Sequence, residues 1–190
     1  NAHACLKAVV CERDLFDFQA HPRPRHSWQR TVIYELHVGG FTRREDAGVA
    51  VDHRGTYLGL IEKLPYLKEL GITAVELLPV FCFDPADAPP GRDNVWGYSP
   101  LSWFTPHHGY CSSSDPLQSR HAVRQLVAAC HDACIQVLLD VVFHHPTQGF
   151  RHCPSLTRPA RADNVYYHHT AVGRYQEVTR SGTPHGPNAP

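Results

Sequence analysis

Residues 135–146 read IQVLLDVVFHHP, a run of aliphatic and β-branched residues broken by Asp140 and closed by His144, His145 and Pro146. A continuous apolar run of this kind suits a strand buried on both faces, as in a parallel sheet wrapped by helices. A carboxylate and two imidazoles at the C-terminal end of such a strand stand where α/β barrels place their chemistry. The same residues equally describe a core strand whose polar end is merely solvated, and this stretch leaves both readings open.

Other residue types capable of chemistry are scattered more widely. Residues 31–38, TVIYELHV, carry Glu35 and His37 inside an apolar run. Period-two geometry sends Ile33, Glu35 and His37 to one face and Tyr34, Leu36 and Val38 to the other. A glutamate and a histidine inside a strand must find partners or face a polar cavity, so they read either as a structural pair or as part of a site near a barrel mouth. The seven cysteines and fifteen histidines show no paired CxxC spacing. A metal site can be assembled on paper from Cys130, Cys134, His152 and Cys153, yet no motif fixes its geometry. Reduced, mostly buried thiols are the expectation, with no metal and no cofactor, and they point to an intracellular setting, cytoplasmic or plastid.

The bulk composition narrows the classes. A chain of 190 residues suffices for one ordinary domain with a core. Hydrophobic content of 42% with 19% charged residues describes a globular protein. Eighteen basic and eighteen acidic residues cancel, so neither nucleic acid nor an anionic membrane is an expected partner. No apolar stretch approaches bilayer length, and the first ten residues lack the apolar core of a signal peptide. The absence of any methionine, including at position 1, suggests a piece of something longer. Nothing in the composition sets an oligomeric state.

The elements that must position these groups follow from pattern. Residues 1–30 read as a lead-in from a preceding domain, because the prolines of HPRPRHSW deny a regular helix or central strand. Residues 31–38 form a first strand, ended by Gly39-Gly40, and residues 42–54 a polar loop. Residues 56–70 carry Leu60, Leu64 and Leu67 on one stripe; Pro65 splits them into two short helices, and Gly71 stops the second. Residues 72–81, ITAVELLPVF, form a second buried strand. A long loop over 84–116 follows, a length that is usually functional when ordered. Its aromatics Trp96, Tyr98, Trp103, Phe104 and Tyr110 are expected to form a local core, a sugar-stacking platform being the other reading. Residues 117–133 make an amphipathic helix through Val123, Leu126, Val127, Cys130 and Cys134. The order is βαβαβ, with right-handed crossovers expected. Residues 147–190 lack periodicity and read as a long irregular excursion.

Four ordered stretches then carry a resemblance: VIYELHVGGFT, RGTYLGLIEKLPYLKELGITAVELLPV, NVWGYSP and VLLDVVFHH. Together they resemble the N-terminal part of the catalytic barrel in the α-amylase superfamily, and within it the isoamylase and glycogen-debranching group. The resemblance implies an α/β fold, a partial (β/α)8 TIM-type barrel with about the first three βα units in residues 31–146. It also implies an α-glucan polysaccharide substrate, with cleavage of α-1,6 branch linkages by a retaining mechanism. Asp140 and His145 match the family's first conserved region, where the aspartate organises hydrogen bonds and the histidine contacts sugar hydroxyls. Tyr98 matches the tyrosine that stacks on the sugar beside the scissile bond.

Departures are equally specific. His144 stands where the family usually has an asparagine that helps to bind calcium or order a loop, which argues against calcium here. Pro146 replaces a usual threonine, Cys134 a helix-ending glycine, and Gly39 a frequent arginine. The family's nucleophile, acid/base and third carboxylate follow its fourth, fifth and seventh strands, so no catalytic carboxylate is assigned in this chain. Asp163 and Glu177 lie in the irregular tail, outside the motif. The chain alone is therefore expected to be inactive. The alternatives are a non-catalytic isoamylase-like glucan-binding subunit and a structural or metal-binding domain.

Overall fold

The computed structural model describes residues 9–11, 16–115 and 117–143. These residues fall into two compact units. One comprises Val9–Val80 with Pro106–Asp140; the other contains Phe81–Thr105 and Val141–Phe143.

The first unit is built on three parallel strands, β1 (Ile33–Leu36), β2 (Ala74–Leu77) and β5 (Gln136–Leu139), in the order β1-β2-β5. The register aligns Leu36 with Leu77 and Leu77 with Leu139. Four helices connect them: α1 (Val38–Phe41), α2 (Tyr57–Glu62), α3 (Leu64–Glu69) and α4 (Gln118–Asp132). The expected βαβαβ order is present. All three strands are shorter than their apolar runs.

The helix-side core is close-packed. Tyr57, Leu60 and Leu67 from the helical segment, Val75 and Leu77 from β2, and Leu126, Cys130 and Ile135 are at most 1% exposed. Each such aliphatic side chain contributes about 1.5–3 kcal/mol of burial, so this layer holds the sheet and helices together. Pro65 does split the helical run, sitting in the first turn of α3 where its missing N–H costs nothing. Gly71 adopts φ +82°, the left-handed stop expected of it.

Three expectations need correction. β5 is not buried on both faces: Leu139 is 45% exposed and the other three residues are half-buried. Among the described residues β5 has a neighbour only on its β2 side, so one edge and part of each face lack cover. The first strand stops at Leu36, short of Val38. His37 caps a helical turn instead, its Nδ1 accepting the Gly40 N–H at 2.8 Å, and the paired glycines accommodate that turn. The long loop over 84–116 also holds regular structure. In the second unit, β3 (Phe81–Phe83) pairs with β4 (Pro100–Pro106) as a two-stranded ribbon.

That ribbon exposes aromatics that were expected to form a local core. Trp96 is 63% and Phe104 78% exposed, and only Tyr110, in the other unit, is fully buried. Two strands cannot enclose a core, so Phe81, Phe104 and Phe143 cluster with ring centroids 5.6–6.2 Å apart, Phe81 edge-on to Phe104 and both tilted against Phe143.

The lead-in segment is tied to the first unit through polar contacts. His21 Nδ1 reaches the Asp132 carboxylate at 2.9 Å, His26 Nε2 donates to the Cys134 carbonyl at 2.8 Å, and Gln136 Nε2 donates to the Pro24 carbonyl at 2.7 Å. At this end of α4, Ile135 N–H bonds the Cys130 carbonyl while Cys134 takes φ +61°. This is a left-handed helix stop occupied by a residue with a Cβ, which costs about 1–2 kcal/mol. Cys134→Gly is therefore expected to stabilise the chain by about 1 kcal/mol, read as a shift of the urea midpoint at unchanged slope.

Candidate functional site

The carboxyl ends of the three parallel strands lie at one edge of the sheet. One residue beyond the Leu36–Leu77–Leu139 row come His37, Leu78 and Asp140. The ladder continues into this row: Leu78 N–H donates to the Leu36 carbonyl at 3.0 Å and Asp140 N–H to the Leu77 carbonyl at 2.9 Å. Asp140 is half-buried. By strand alternation its side chain lies on the face away from the Val75 and Leu77 side that packs on the helices. A carboxylate so placed can accept hydrogen bonds from hydroxyl groups that approach the sheet edge.

His37 is flanked by Tyr110, a pairing that sequence reasoning missed. Its Nε2 lies 3.0 Å from the Tyr110 hydroxyl, and the two rings meet edge-on at 5.5 Å. Tyr110 in turn packs on His107 at 4.7 Å and on Tyr57 at 5.9 Å. The Tyr57 hydroxyl donates to the His107 carbonyl at 3.4 Å, and His107 N–H donates to the Val80 carbonyl at 2.7 Å. Burial pushes the Tyr110 phenol up to about 12, only partly opposed by the charge of Arg43. The His107 imidazole is pushed down to about 4, chiefly by burial and then by the charges of His108 and His37. Both groups are therefore neutral at pH 7. The PHHGY motif was the available signal, but its partner His37 lies 73 residues away. Glu35 is exposed on β1, and the ring nitrogens of His37 are engaged by Gly40 and Tyr110.

In the second unit the NVWGYSP motif builds a pinned turn. Asn94 Nδ2 donates to the Asp84 carbonyl at 3.3 Å, and its Oδ1 accepts the Gly97 N–H at 3.1 Å. Gly97 has φ +73°, and a Cβ there would lie 2.7 Å from the Phe83 ring, so glycine is required. Ser99 is buried and donates to Asp87 Oδ2 at 3.0 Å. Tyr98 thus stands half-buried between two neighbours whose backbone is held in place.

Of the three predicted sugar contacts, Asp140 lies on the parallel sheet and Tyr98 in the other unit. His145 lies outside the described residues, as do His144, Pro146, Asp163 and Glu177. The paper metal site loses support at Cys130, which is fully buried with its thiol pushed up to about 12 by desolvation. Cys134 is exposed, and His152 and Cys153 lie outside the described residues. Among the described residues no three His, Cys, Asp or Glu side chains gather around a common point, and no helix is long and apolar enough to cross a membrane.

Comparisons with known proteins bear on this arrangement. The chain is 39% identical over 186 residues to the glycogen operon protein GlgX homolog of Haemophilus influenzae, which covers 96% of this chain and 28% of that protein. It is 40% identical to isoamylase 3, chloroplastic, of Oryza sativa subsp. japonica, covering 77% of this chain and 20% of that one. It therefore spans about a quarter of the length of such relatives. The fold superposes on a type I pullulanase of Bacillus subtilis solved with maltose, with a TM-score of 0.71 and 29% identity over 93% of this chain and 26% of that one. The sequence model of the α-amylase catalytic domain matches residues 33–188. With its parallel βαβαβ unit and a carboxylate at the carboxyl end of the last strand, the chain belongs to the α-amylase catalytic-domain family.

Proposed function

We propose that this chain is the N-terminal portion of a debranching glycoside hydrolase. In this reading it supplies the first three parallel strands of a (β/α)8 barrel and part of the pocket for an α-glucan with α-1,6 branches. The observation that carries the reading is Asp140 at the carboxyl end of β5 in a chain of this family. The names of the relatives, a glycogen operon protein and an isoamylase, support the substrate class.

The chemistry divides between this chain and the remainder of the enzyme. Retaining hydrolysis requires a nucleophilic carboxylate and a general acid about 5 Å apart across the scissile bond. Neither is assigned here, so residues 1–190 contribute binding and orientation. Asp140 accepts hydrogen bonds from sugar hydroxyls, as a charged acceptor that strengthens them. Tyr98 offers an aromatic face to the apolar face of a glucose ring, with His145 as a further hydroxyl contact.

The test is hydrolysis of glycogen limit dextrin by the full-length protein, following release of linear malto-oligosaccharides and loss of α-1,6 linkages. Asp140→Asn and Tyr98→Ala are each expected to lower kcat/KM tenfold or more, the loss of about 1.4 kcal/mol that one charge-assisted hydrogen bond or one stacked ring supplies. Linear products without loss of α-1,6 linkages, or unchanged kcat/KM in both variants, would exclude the proposal.

A further inference from the structure

We infer that His37 and Tyr110 act as a positioning pair for the sugar pocket, fixing the carboxyl end of β1 in the row that carries Asp140; this rests on the debranching reading above. His37 is one residue past the end of β1 and Asp140 one residue past the end of β5, with Leu78 between them on β2. The pair therefore bears directly on the sheet edge to which the pocket has been assigned.

The proton arrangement follows from the contacts. A ring nitrogen that accepts from a peptide N–H carries no proton, so Nδ1 of His37 is bare where it accepts from Gly40. With Nδ1 accepting, the ring proton sits on Nε2 and is donated to the Tyr110 hydroxyl at 3.0 Å. One imidazole thus does two things: it caps the turn Val38–Phe41 and ties that turn to Tyr110.

Tyr110 is a fixed anchor. It is 5% exposed, held between the rings of His107 and Tyr57, and His107 is bonded through its backbone to Val80, just beyond β2. The exits of β1 and β2 are in this way joined through one buried aromatic cluster. Gly39 permits the closeness: a Cβ there would lie 3.1 Å from both His37 Cε1 and Tyr110 Cε1 and would wedge the rings apart.

Two variants separate positioning from bulk structure, both in the full-length protein. Tyr110→Phe keeps the ring and its packing and removes only the hydroxyl. His37→Asn keeps a short acceptor able to cap Gly40 and loses the reach to Tyr110. Each is expected to raise KM for limit dextrin about fivefold, with the thermal midpoint shifted by only a few degrees. The double variant should be no worse than the poorer single one, because one contact is lost in all three.

A KM within twofold of wild type in both single variants overturns the inference, and so does multiplication of the two effects in the double variant. A fall in thermal midpoint with KM unchanged makes the pair structural only and also overturns it. If the wild-type protein fails to cleave α-1,6 branches, the debranching reading falls and takes this inference with it. Wild-type cleavage with unaffected variants removes this inference alone.

Discussion

Replacing Gly59 by alanine is expected to destabilise the chain by about 3 kcal/mol, although alanine is the better helix former by about 1 kcal/mol. Gly59 is the third residue of α2, and a Cβ there would lie 2.3 Å from the His53 carbonyl oxygen and 2.7 Å from Thr42 Oγ1. Neither neighbour can yield cheaply. The His53 carbonyl accepts both the Thr56 N–H and the Thr56 hydroxyl, and that hydroxyl oxygen also accepts the Gly59 N–H to cap the helix. Thr42 is fully buried and its hydroxyl oxygen accepts the Gly55 N–H at 2.9 Å. A methyl at position 59 must therefore shift backbone, break the cap or expel Thr42. Gly40 makes the control, since a Cβ there meets His37 no closer than 3.5 Å. Thermal unfolding should show a drop of roughly 6–12 °C for Gly59→Ala and a much smaller change for Gly40→Ala. Equal midpoints for the two variants would show that the crowding at α2 is relieved at little cost.

The second large effect concerns acid. His107 is 7% exposed and its imidazole is held down at about 4, chiefly by burial. The unfolded chain binds that proton near the ordinary histidine value of 6.5, so between these two values the unfolded state holds more protons than the folded one. Stability from this group is thus complete above about pH 6.5 and is lost as pH falls towards 4. At 1.36 kcal/mol per pH unit the full loss is about 3 kcal/mol. The measurement is the urea midpoint as a function of pH for wild type and His107→Phe, which keeps a ring against Tyr110 and cannot titrate. The midpoint of the variant should fall less between pH 7 and 4.5. Parallel curves would mean that another group governs the acid limb.

The residues divide cleanly between what pattern reveals and what only packing decides. Pro65 announced two helices where one stripe of leucines suggested a single helix, because a ring without an N–H can stand only in a first turn. Asp140 was legible for a similar reason: a lone carboxylate closing a long aliphatic run has few places to be other than a strand exit. Cys134, noted as a departure from glycine, proved to occupy the left-handed helix stop that makes glycine usual there.

Other features depend on partners distant in the chain. The strand at 31–38 lost its last two residues to a turn because His37 found Gly40 and Tyr110, the latter 73 positions onward. No local pattern reports such a contact. β3 and β4 were hidden for the opposite reason: proline and polar punctuation mimics a loop, and the pairing joins segments with a turn-rich insertion between them. The fate of the aromatics depended on enclosure, which composition does not encode: Tyr110 met a sheet and helices and was buried, whereas Phe104 lies on a two-stranded ribbon and was not. By itself the sequence determined the βαβαβ order of the parallel unit and the carboxylate at the exit of β5, since these follow from periodicity and backbone chemistry. Tertiary structure alone decided strand lengths, the His37–Tyr110 pairing and which aromatic rings are covered, because each requires surfaces that meet only after the chain has folded.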